Sequence, residues 1–356
     1  MRLLILTRHA RLSASSRLRF LQYLPWFEQA GLTYTVSPLI EDEQLQRFYQ
    51  NESYGFFDLL HAYWRRIRTL LQRHDVDLIW IEKEALPWLP TWFERRLLGG
   101  IPYMLDYDDA VFHNYDQHPS PWVRYFLGQR IDKLMAGSTL VTAGNAYLAQ
   151  RARNAGARRV AIVPTVIDLE RYTAKPDTAL DGEIPRIVWI GSSHTLKYLK
   201  LLHKPLAALS QRFTFKLRII AKNSLELPSV DVEFVPWTEA TEVASLQACD
   251  IGVMPLVDSA WERGKCGYKL IQYMACSLSV VASPVGVNTE IVCTDKNGYL
   301  AETEHEWVDA LGKLLDDTSL RQQVGKAGRK LVETEYCIQQ IAPKLINLLH
   351  EAKAGR

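Results

Sequence analysis

Two groups of residues in this chain have the types and spacing to do chemistry. The first is a short loop bounded by Gly264 and Gly267, which carries Lys265 and Cys266 and leads into a helical pattern with Lys269 in its first turn. Glycines let backbone come close to an anion, the N–H groups of a helix start point at it, and two lysines add positive charge. That set suits a phosphate. The second group is Asp106, Asp108 and Asp109, which leave the end of an apolar run together, with His113 and Asp116 a few residues on. Carboxylates at such a place can orient a hydroxyl or accept its proton. Each group also has a plainer reading, the first as an eased turn with solvated lysines, the second as helix caps and loop solvation.

The elements that must position these residues follow from the apolar pattern. Residues 251–254 form an apolar run that breaks at Pro255, and a polar loop crosses to Gly264 and Gly267. In the helical stretch that follows, Leu270, Ile271, Met274 and Leu278 fall on one side and Lys265, Lys269 and Gln272 on the other; 279–283 then reads as a buried strand. This is a β-α-β unit, and its loop lies at the carboxyl end of a parallel strand, where open α/β sheets bind ligands. The same alternation runs through the first half: a strand at 3–6, a loop at 7–16 with Arg8 and Arg11, a helix at 17–30 that Gly31 ends and that carries Arg17 and Arg19, then strands at 33–36, 76–82, 101–105, 139–142 and 160–163, with helices at 122–135 and 145–154. No G-x-G-x-x-G follows the first strand, so a nicotinamide cofactor is not expected. The polar stretch 172–185 reads as a linker. Beyond it come a strand with a glycine turn at Gly191, then Ser192, Ser193 and Lys197 at a helix start, strands at 216–221 and 232–237, a short helix at 241–249, and amphipathic helices from 304 onward. Regular alternation of this kind predicts an α/β fold with parallel sheets.

Totals narrow the function classes. With 356 residues and 47% hydrophobic residues there is material for two cores, and a net charge of +2 is too small for a general binder of nucleic acid. Five cysteines, all in the second half and without paired metal spacing, fit reduced thiols in a cytoplasmic protein. The N-terminal apolar run is too short for a signal peptide, and no segment approaches about 18 uninterrupted apolar residues. Between 48 and 73 the chain mixes Tyr49, Tyr54, Phe56, Phe57, Tyr63 and Trp64 with Arg65, Arg66, Arg68 and Arg73. Such a mixture can lie on an anionic bilayer, or can be an ordinary helix with aromatic residues inward and arginines solvated.

The stretch 250–286 closely resembles the donor site of family 4 glycosyltransferases, which have the GT-B fold. The counterparts are Pro255 at a strand end, Gly267 in the loop, the helix LIQYMA and the strand VVASPVG. The resemblance is strongest over 187–300 and looser before that. It implies two Rossmann-like doubly wound parallel-sheet domains facing a cleft: an acceptor-side domain at 1–170, a linker at 171–185, a donor domain at 186–335, and a last helix at 336–356 returning to the first domain. It implies a retaining hexosyltransferase that moves a sugar from a nucleotide diphosphate to an acceptor hydroxyl, without a cofactor or bound metal, in lipid-linked or cell-surface glycan assembly. The protein would then work in the cytoplasm or peripherally on the inner face of the cytoplasmic membrane.

The resemblance carries over residue by residue. Lys197 matches a lysine that grips the donor diphosphate, while Ser192 stands where relatives have an arginine; Ser192, Ser193 and the Gly191 backbone remain as hydrogen-bond donors. Relatives carry Glu, seven residues, then Glu, and here those places hold Gly264 and Gln272, leaving Gln272 for ribose hydroxyls and Lys265 or Glu262 for the sugar. Trp237 follows the strand that borders the nucleobase, as a stacking neighbour or as core, and Glu290 is placed to meet a sugar hydroxyl. Asp108 stands where many relatives have a histidine beside the reacting sugar, so Asp108, Asp109 and Lys265 are the expected catalytic residues. Arg8 and Arg17 lie in the loop and helix that face the acceptor. The departures at Gly264, Ser192 and Gln272 keep two other readings open: an inactive homologue serving as a binding or scaffold subunit, and a sugar-nucleotide epimerase.

Overall fold

The structure, a computed structural model, describes residues 1–51, 53–73, 75–176 and 184–355; the centre of the expected linker, 177–183, and the side chain of Tyr49 lie outside the described residues. The chain divides into two compact units. The first comprises 1–165, 264–266 and 341–356, and the second 166–263 and 267–340.

The first unit is built on six parallel strands: β1 (Arg2–His9), β2 (Thr33–Ile40), β3 (Leu78–Glu82), β4 (Tyr103–Tyr107), β5 (Leu140–Ala143) and β6 (Val160–Ile162), in the order β2-β1-β3-β4-β5-β6. β3, β4 and β5 are buried along their whole length. A parallel strand covered on both faces needs a continuous apolar run, which is why LIWIE and LVTA are legible as strands. Pro38 is tolerated because β2 is the edge strand, where a missing N–H breaks no ladder on the open side. The helix expected at 17–30 is instead three pieces, Ala14–Arg19, a 3-10 turn at Leu21–Tyr23, and Leu24–Gln29. Pro25 has no N–H to give to a preceding turn and takes the start of a new helix. Likewise 122–135 is two helices, Pro121–Leu127 and Arg130–Gly137, parted at Gly128.

The second unit repeats the plan: β7 (Arg186–Ile190), β8 (Lys216–Ala221), β9 (Val232–Pro236), β10 (Ile251–Met254), β11 (Ser279–Ala282) and β12 (Tyr299–Leu300), in the order β12-β11-β10-β7-β8-β9 and again parallel. Side chains alternate between its two faces. Ile187, Trp189, Leu217, Ile219 and Val253 pack on one side, and Val188, Ile190, Ile220, Met254 and Val280 on the other. Each fully buried side chain of this kind contributes about 1.5–3 kcal/mol of transfer free energy.

One helix of the first unit departs in part from the ordinary expectation: Ala62 and Leu70 are buried and Tyr63 and Ile67 pack on the core, but one arginine points inward and several aromatic residues point out. In Phe56–Leu71 the outward stripe is Phe56, Phe57, Leu60, Trp64 and Leu71, with Phe57 80% and Trp64 56% exposed, while Arg66 is 1% exposed. Arg66 is drawn inward by carbonyls at the strand ends, donating to Thr7 O at 2.7 Å, Ser37 O at 2.8 Å and Ala85 O at 3.1 Å. A second surface helix, Pro121–Leu127, buries no residue and exposes Trp122, Tyr125 and Phe126. Among the described residues no helix is long and apolar enough to cross a membrane.

Candidate functional site

In the second unit the strand order reverses between β7 and β10, since β7 leads to β8 on one side and β10 lies on the other. A crevice at the carboxyl ends of two such strands is the usual ligand site of an open α/β sheet. Here a side chain spans the gap between the two strands. β7 and β10 pair only at Ile187 with Ile251 and Val188 with Gly252. Beyond that, the Tyr273 hydroxyl stands between them, accepting from Ile190 N at 3.0 Å and donating to Val253 O at 3.3 Å. Gly252 makes room for the ring, since a Cβ there would lie 2.3 Å from Tyr273.

Two loops flank this crevice. After β7 come Gly191, Ser192, Ser193 and the 3-10 helix Leu196–Leu202. Ser192 and Ser193 are exposed and their amides make no hydrogen bond among the described residues, whereas the Gly191 N–H, expected to serve a ligand, is spent on Ile220 O at 3.1 Å in the β7–β8 ladder. After β10 comes the loop that ends at Gly267, whose φ of +65° is open to glycine at little cost, followed by the helix Tyr268–Ala275. Glu262 ties one loop to the other: its carboxylate accepts from the hydroxyls of Tyr198 and Ser259. That leaves it as a buried brace, not the sugar contact expected of it. Lys197 is exposed beside the Tyr198 ring, and the Lys269 ammonium lies 5.6 Å from the centre of the Trp189 ring. Lys197 lies in the first turn of the 3-10 helix after one loop, and Lys269 in the first turn of the helix after the other.

One expectation about a side chain in this unit needs correction. Gln272 faces inward, not to solvent, and its amide donates to the Tyr172 hydroxyl at 2.8 Å, because the polar group of a buried residue must find a partner. Trp237 is half-buried and its indole N–H is held by Glu242 Oε2 at 2.7 Å, which fixes the ring after β9. Glu290 is exposed on the short helix Asn288–Ile291.

In the first unit the order reverses between β1 and β3, and the acidic run lies beside that point, at the end of β4. Its three carboxylates go to different partners. Asp106 is buried and paired with Arg19 through both oxygens, at 2.6 and 2.8 Å, with Thr142 donating at 2.6 Å. Asp108 accepts from Ser15 Oγ at 2.5 Å and is ion-paired with Lys83 Nζ at 2.9 Å. Burial works to raise the Asp108 carboxyl, but Lys83, Arg19 and the bonds from Ser15 and Lys83 outweigh it and hold it below its ordinary range. Asp109 lies 3.8 Å from Lys265. Burial, then the charges of Arg8 and Lys83, depress His9 to about 3, so it is neutral at working pH.

The glycine loop contributes three residues to this same unit, and they are seated by packing. A Cβ on Gly264 would lie 2.6 Å from Ala110 Cβ and 2.8 Å from its nitrogen, so the glycine serves a close backbone approach within the protein and not the approach to a phosphate expected of it. The Lys265 carbonyl accepts from Asn145 Nδ2 at 2.9 Å. The Cys266 thiol, expected beside the donor, is buried in the apolar core and donates to Asp108 O at 3.1 Å; burial pushes it well above its ordinary range. Of the arginines expected to meet an acceptor, Arg8 is partly exposed and 3.6 Å from Glu84. Arg17 is buried and donates to the Arg11 carbonyl at 3.1 Å, so it shapes the loop after β1 instead of standing open.

Lys83, Ser15, Tyr273 and Glu262 are the residues whose placement sequence reasoning did not supply. Lys83 is adjacent to a strand end, which is a signal of position, but Ser15 lies 68 residues away from it.

Comparison with known proteins bears on the fold and on the second unit. Residues 184–317 match the family model described as Glycosyl transferases group 1. Over 330 residues the chain is 22% identical to the D-inositol 3-phosphate glycosyltransferase of Pseudarthrobacter chlorophenolicus, an alignment that covers 85% of this chain and 72% of that one. Sucrose-phosphate synthase from Thermosynechococcus elongatus superposes with a TM-score of 0.73 at 14% identity, over 100% of both chains. Alr3699/HepE of Anabaena, solved in complex with UDP, superposes with a TM-score of 0.74 at 14% identity, over 98% of this chain and 100% of that one, and has also been solved with UDP-glucose. The fold is GT-B, and the second half carries a group 1 glycosyltransferase domain.

Proposed function

We propose that this chain transfers a hexose from a nucleoside diphosphate to an acceptor hydroxyl with retention of anomeric configuration, in the assembly of a lipid-linked or surface glycan. The observation that carries this reading is the crevice between β7 and β10, spanned by Tyr273 and bordered by the Ser192 and Ser193 amides on one loop and the start of the helix Tyr268–Ala275 on the other. Charge builds on the diphosphate as the sugar departs, and donors and cations already in place stabilise that charge more than they stabilise the substrate. Lys197 and Lys269 supply the cations. Trp237, fixed by Glu242, offers a ring to the nucleobase. Asp108, Asp109 and Lys265, all in the first unit, are the proposed catalytic residues, Asp108 as a fixed negative charge.

Uridine diphosphate sugars are the first donors to test, because HepE, of like fold, has been solved with UDP and with UDP-glucose. A thermal-shift panel of nucleoside diphosphates and their sugars, followed by measurement of nucleoside diphosphate release, decides the matter. Stabilisation by one nucleotide family together with its turnover is expected; a flat response to the whole panel overturns the reading. No metal or cofactor enters the proposal.

The outward stripe of Phe56–Leu71 and the exposed aromatic residues of Pro121–Leu127, with Arg68 and Arg124 among them, support an acceptor met at an anionic bilayer surface. A scaffold role is the second reading, favoured by Gln272 being tied to Tyr172 and Gly264 being packed on Ala110. Donor turnover by the purified chain excludes it.

A further inference from the structure

We infer that Lys83 is a positioning residue for the transfer: with Ser15 it clamps the Asp108 carboxylate as a permanently ionised group that orients a hydroxyl or faces positive charge, and so takes Asp108 out of the role of proton acceptor. The inference rests on the reading of Asp108 as a member of the reacting site.

The geometry is specific. Lys83 is the first residue beyond β3, and its φ of +64° is a left-handed conformation that a lysine adopts at a cost. Its backbone N–H extends the β3–β4 ladder by donating to Asp106 O at 2.9 Å, which aims the side chain across the strand ends. There the ammonium reaches Asp108 Oδ1 at 2.9 Å and donates to Ser15 Oγ at 3.1 Å, while Ser15 in turn donates to Asp108 Oδ2 at 2.5 Å. The three groups close a triangle that fixes both carboxylate oxygens. The Lys83 side chain is 8% exposed and that of Asp108 13%, so water competes little with the pair. A carboxylate oxygen keeps a second lone pair after one hydrogen bond, which leaves Asp108 able to accept from a sugar or acceptor hydroxyl.

The other charges around Asp108 are mostly spoken for. From β1 and the helix that follows it come Arg19, paired with Asp106, and the neutral His9; from β3 comes Glu82, which accepts from Arg8 N at 2.8 Å and Ser16 Oγ at 2.7 Å. Burial, and then the Asp108 charge, push Glu82 above its ordinary range, against the pull of Lys83. On the far side stand Asp109 beside Lys265, and the Cys266 thiol on the Asp108 carbonyl. Lys83 is therefore the ion-pair partner that decides whether Asp108 is charged, with Arg19 as a more distant contributor.

The test compares wild type, Lys83→Met, Lys83→Arg and Ser15→Ala as full-length proteins. Two readouts are used: the pH dependence of nucleoside diphosphate release from the sugar donor identified by the thermal-shift panel, and the titration of the Asp108 carboxyl by carbon NMR, assigned with Asp108→Asn. Without the cation, burial is left to raise the carboxyl, so Lys83→Met is expected to lose about a hundredfold in kcat near pH 6 and to recover most of it near pH 9, with KM for the donor little changed. Lys83→Arg restores the wild-type profile, and Ser15→Ala moves it in the same direction by less. A Lys83→Met profile parallel to that of wild type overturns the inference, as does a wild-type Asp108 carboxyl that titrates near neutrality. Should Lys83→Met not fold, the Ser15→Ala profile and the wild-type titration decide between the same two outcomes. Full turnover by Asp108→Asn sinks instead the assignment of Asp108 to the reacting site, a result that leaves the measured titration of the clamp standing.

Discussion

Replacing Tyr273 by Phe removes one oxygen from the centre of the second unit and leaves the ring in place against Gly252. The lost hydroxyl accepts from Ile190 N at 3.0 Å and donates to Val253 O at 3.3 Å, at a point where β7 and β10 have already parted. Both backbone groups are in fully buried strand residues, so no water takes over. An orphaned buried donor costs about 1–3 kcal/mol, and in a unit of this size each kcal/mol lowers the melting temperature by about 2–4 °C. Thermal unfolding of the full-length variant followed by circular dichroism is therefore expected to show a transition lower by about 2–12 °C. Hydrogen exchange at the Ile190 amide reports the same event locally and is expected to speed up more than exchange at Val188, which lies in the paired part of the strand. A melting temperature within about 1 °C of wild type, together with an Ile190 amide as slow as before, would refute the idea that this hydroxyl spans the gap between the strands.

Other substitutions probe the chemistry. Asp108→Asn and Asp109→Asn, made separately, are each expected to reduce donor turnover by about 10²-fold or more, measured by nucleoside diphosphate release, with the melting temperature held for the partly exposed Asp109 and lowered for Asp108, whose lost charge leaves the Lys83 ammonium buried without its partner; full activity in both defeats the assignment. Lys197→Ala and Lys269→Ala are expected to weaken binding of a nucleoside diphosphate by about tenfold each in calorimetry, with a smaller effect on the free nucleoside, since a hydrogen bond to a charged group contributes about 1.5–3 kcal/mol. Phe57→Ser combined with Trp64→Ser removes two largely exposed rings, so it is expected to abolish flotation with anionic liposomes at low salt with little change in the melting temperature; wild-type protein that never floats removes the bilayer reading altogether.

The sequence carries some of this architecture plainly and hides the rest for physical reasons. Strands covered on both faces must be apolar throughout, so β3, β5, β7 and β10 are legible as runs, and the break after Met254 locates the loop at the end of β10. Apolar periodicity runs across Pro25 and Gly128 without a gap, so it does not show that each parts two helices. Periodicity shows that a helix has two faces without showing which polar residue turns inward, and in Phe56–Leu71 the carbonyls of Thr7, Ser37 and Ala85 draw Arg66 in. Contacts over long sequence separation leave no local trace: Ser15 with Asp108 across 93 residues, Tyr198 with Glu262 across 64, and Gln272 with Tyr172 across 100. A resemblance can assign a polar residue to a ligand, but only the surroundings reveal whether the protein has already taken it, as it has taken Gln272, Glu262 and the Cys266 thiol.

Whether the crevice between β7 and β10 is the donor site is decided by a crystal structure of the full chain with a nucleoside diphosphate sugar chosen by thermal shift. The two phosphoryl groups are expected over the Ser192 and Ser193 amides and the first turn of the helix Tyr268–Ala275, with Lys197 and Lys269 within hydrogen-bond reach. A nucleotide bound anywhere else, with that crevice vacant, would show that the donor site has been misassigned.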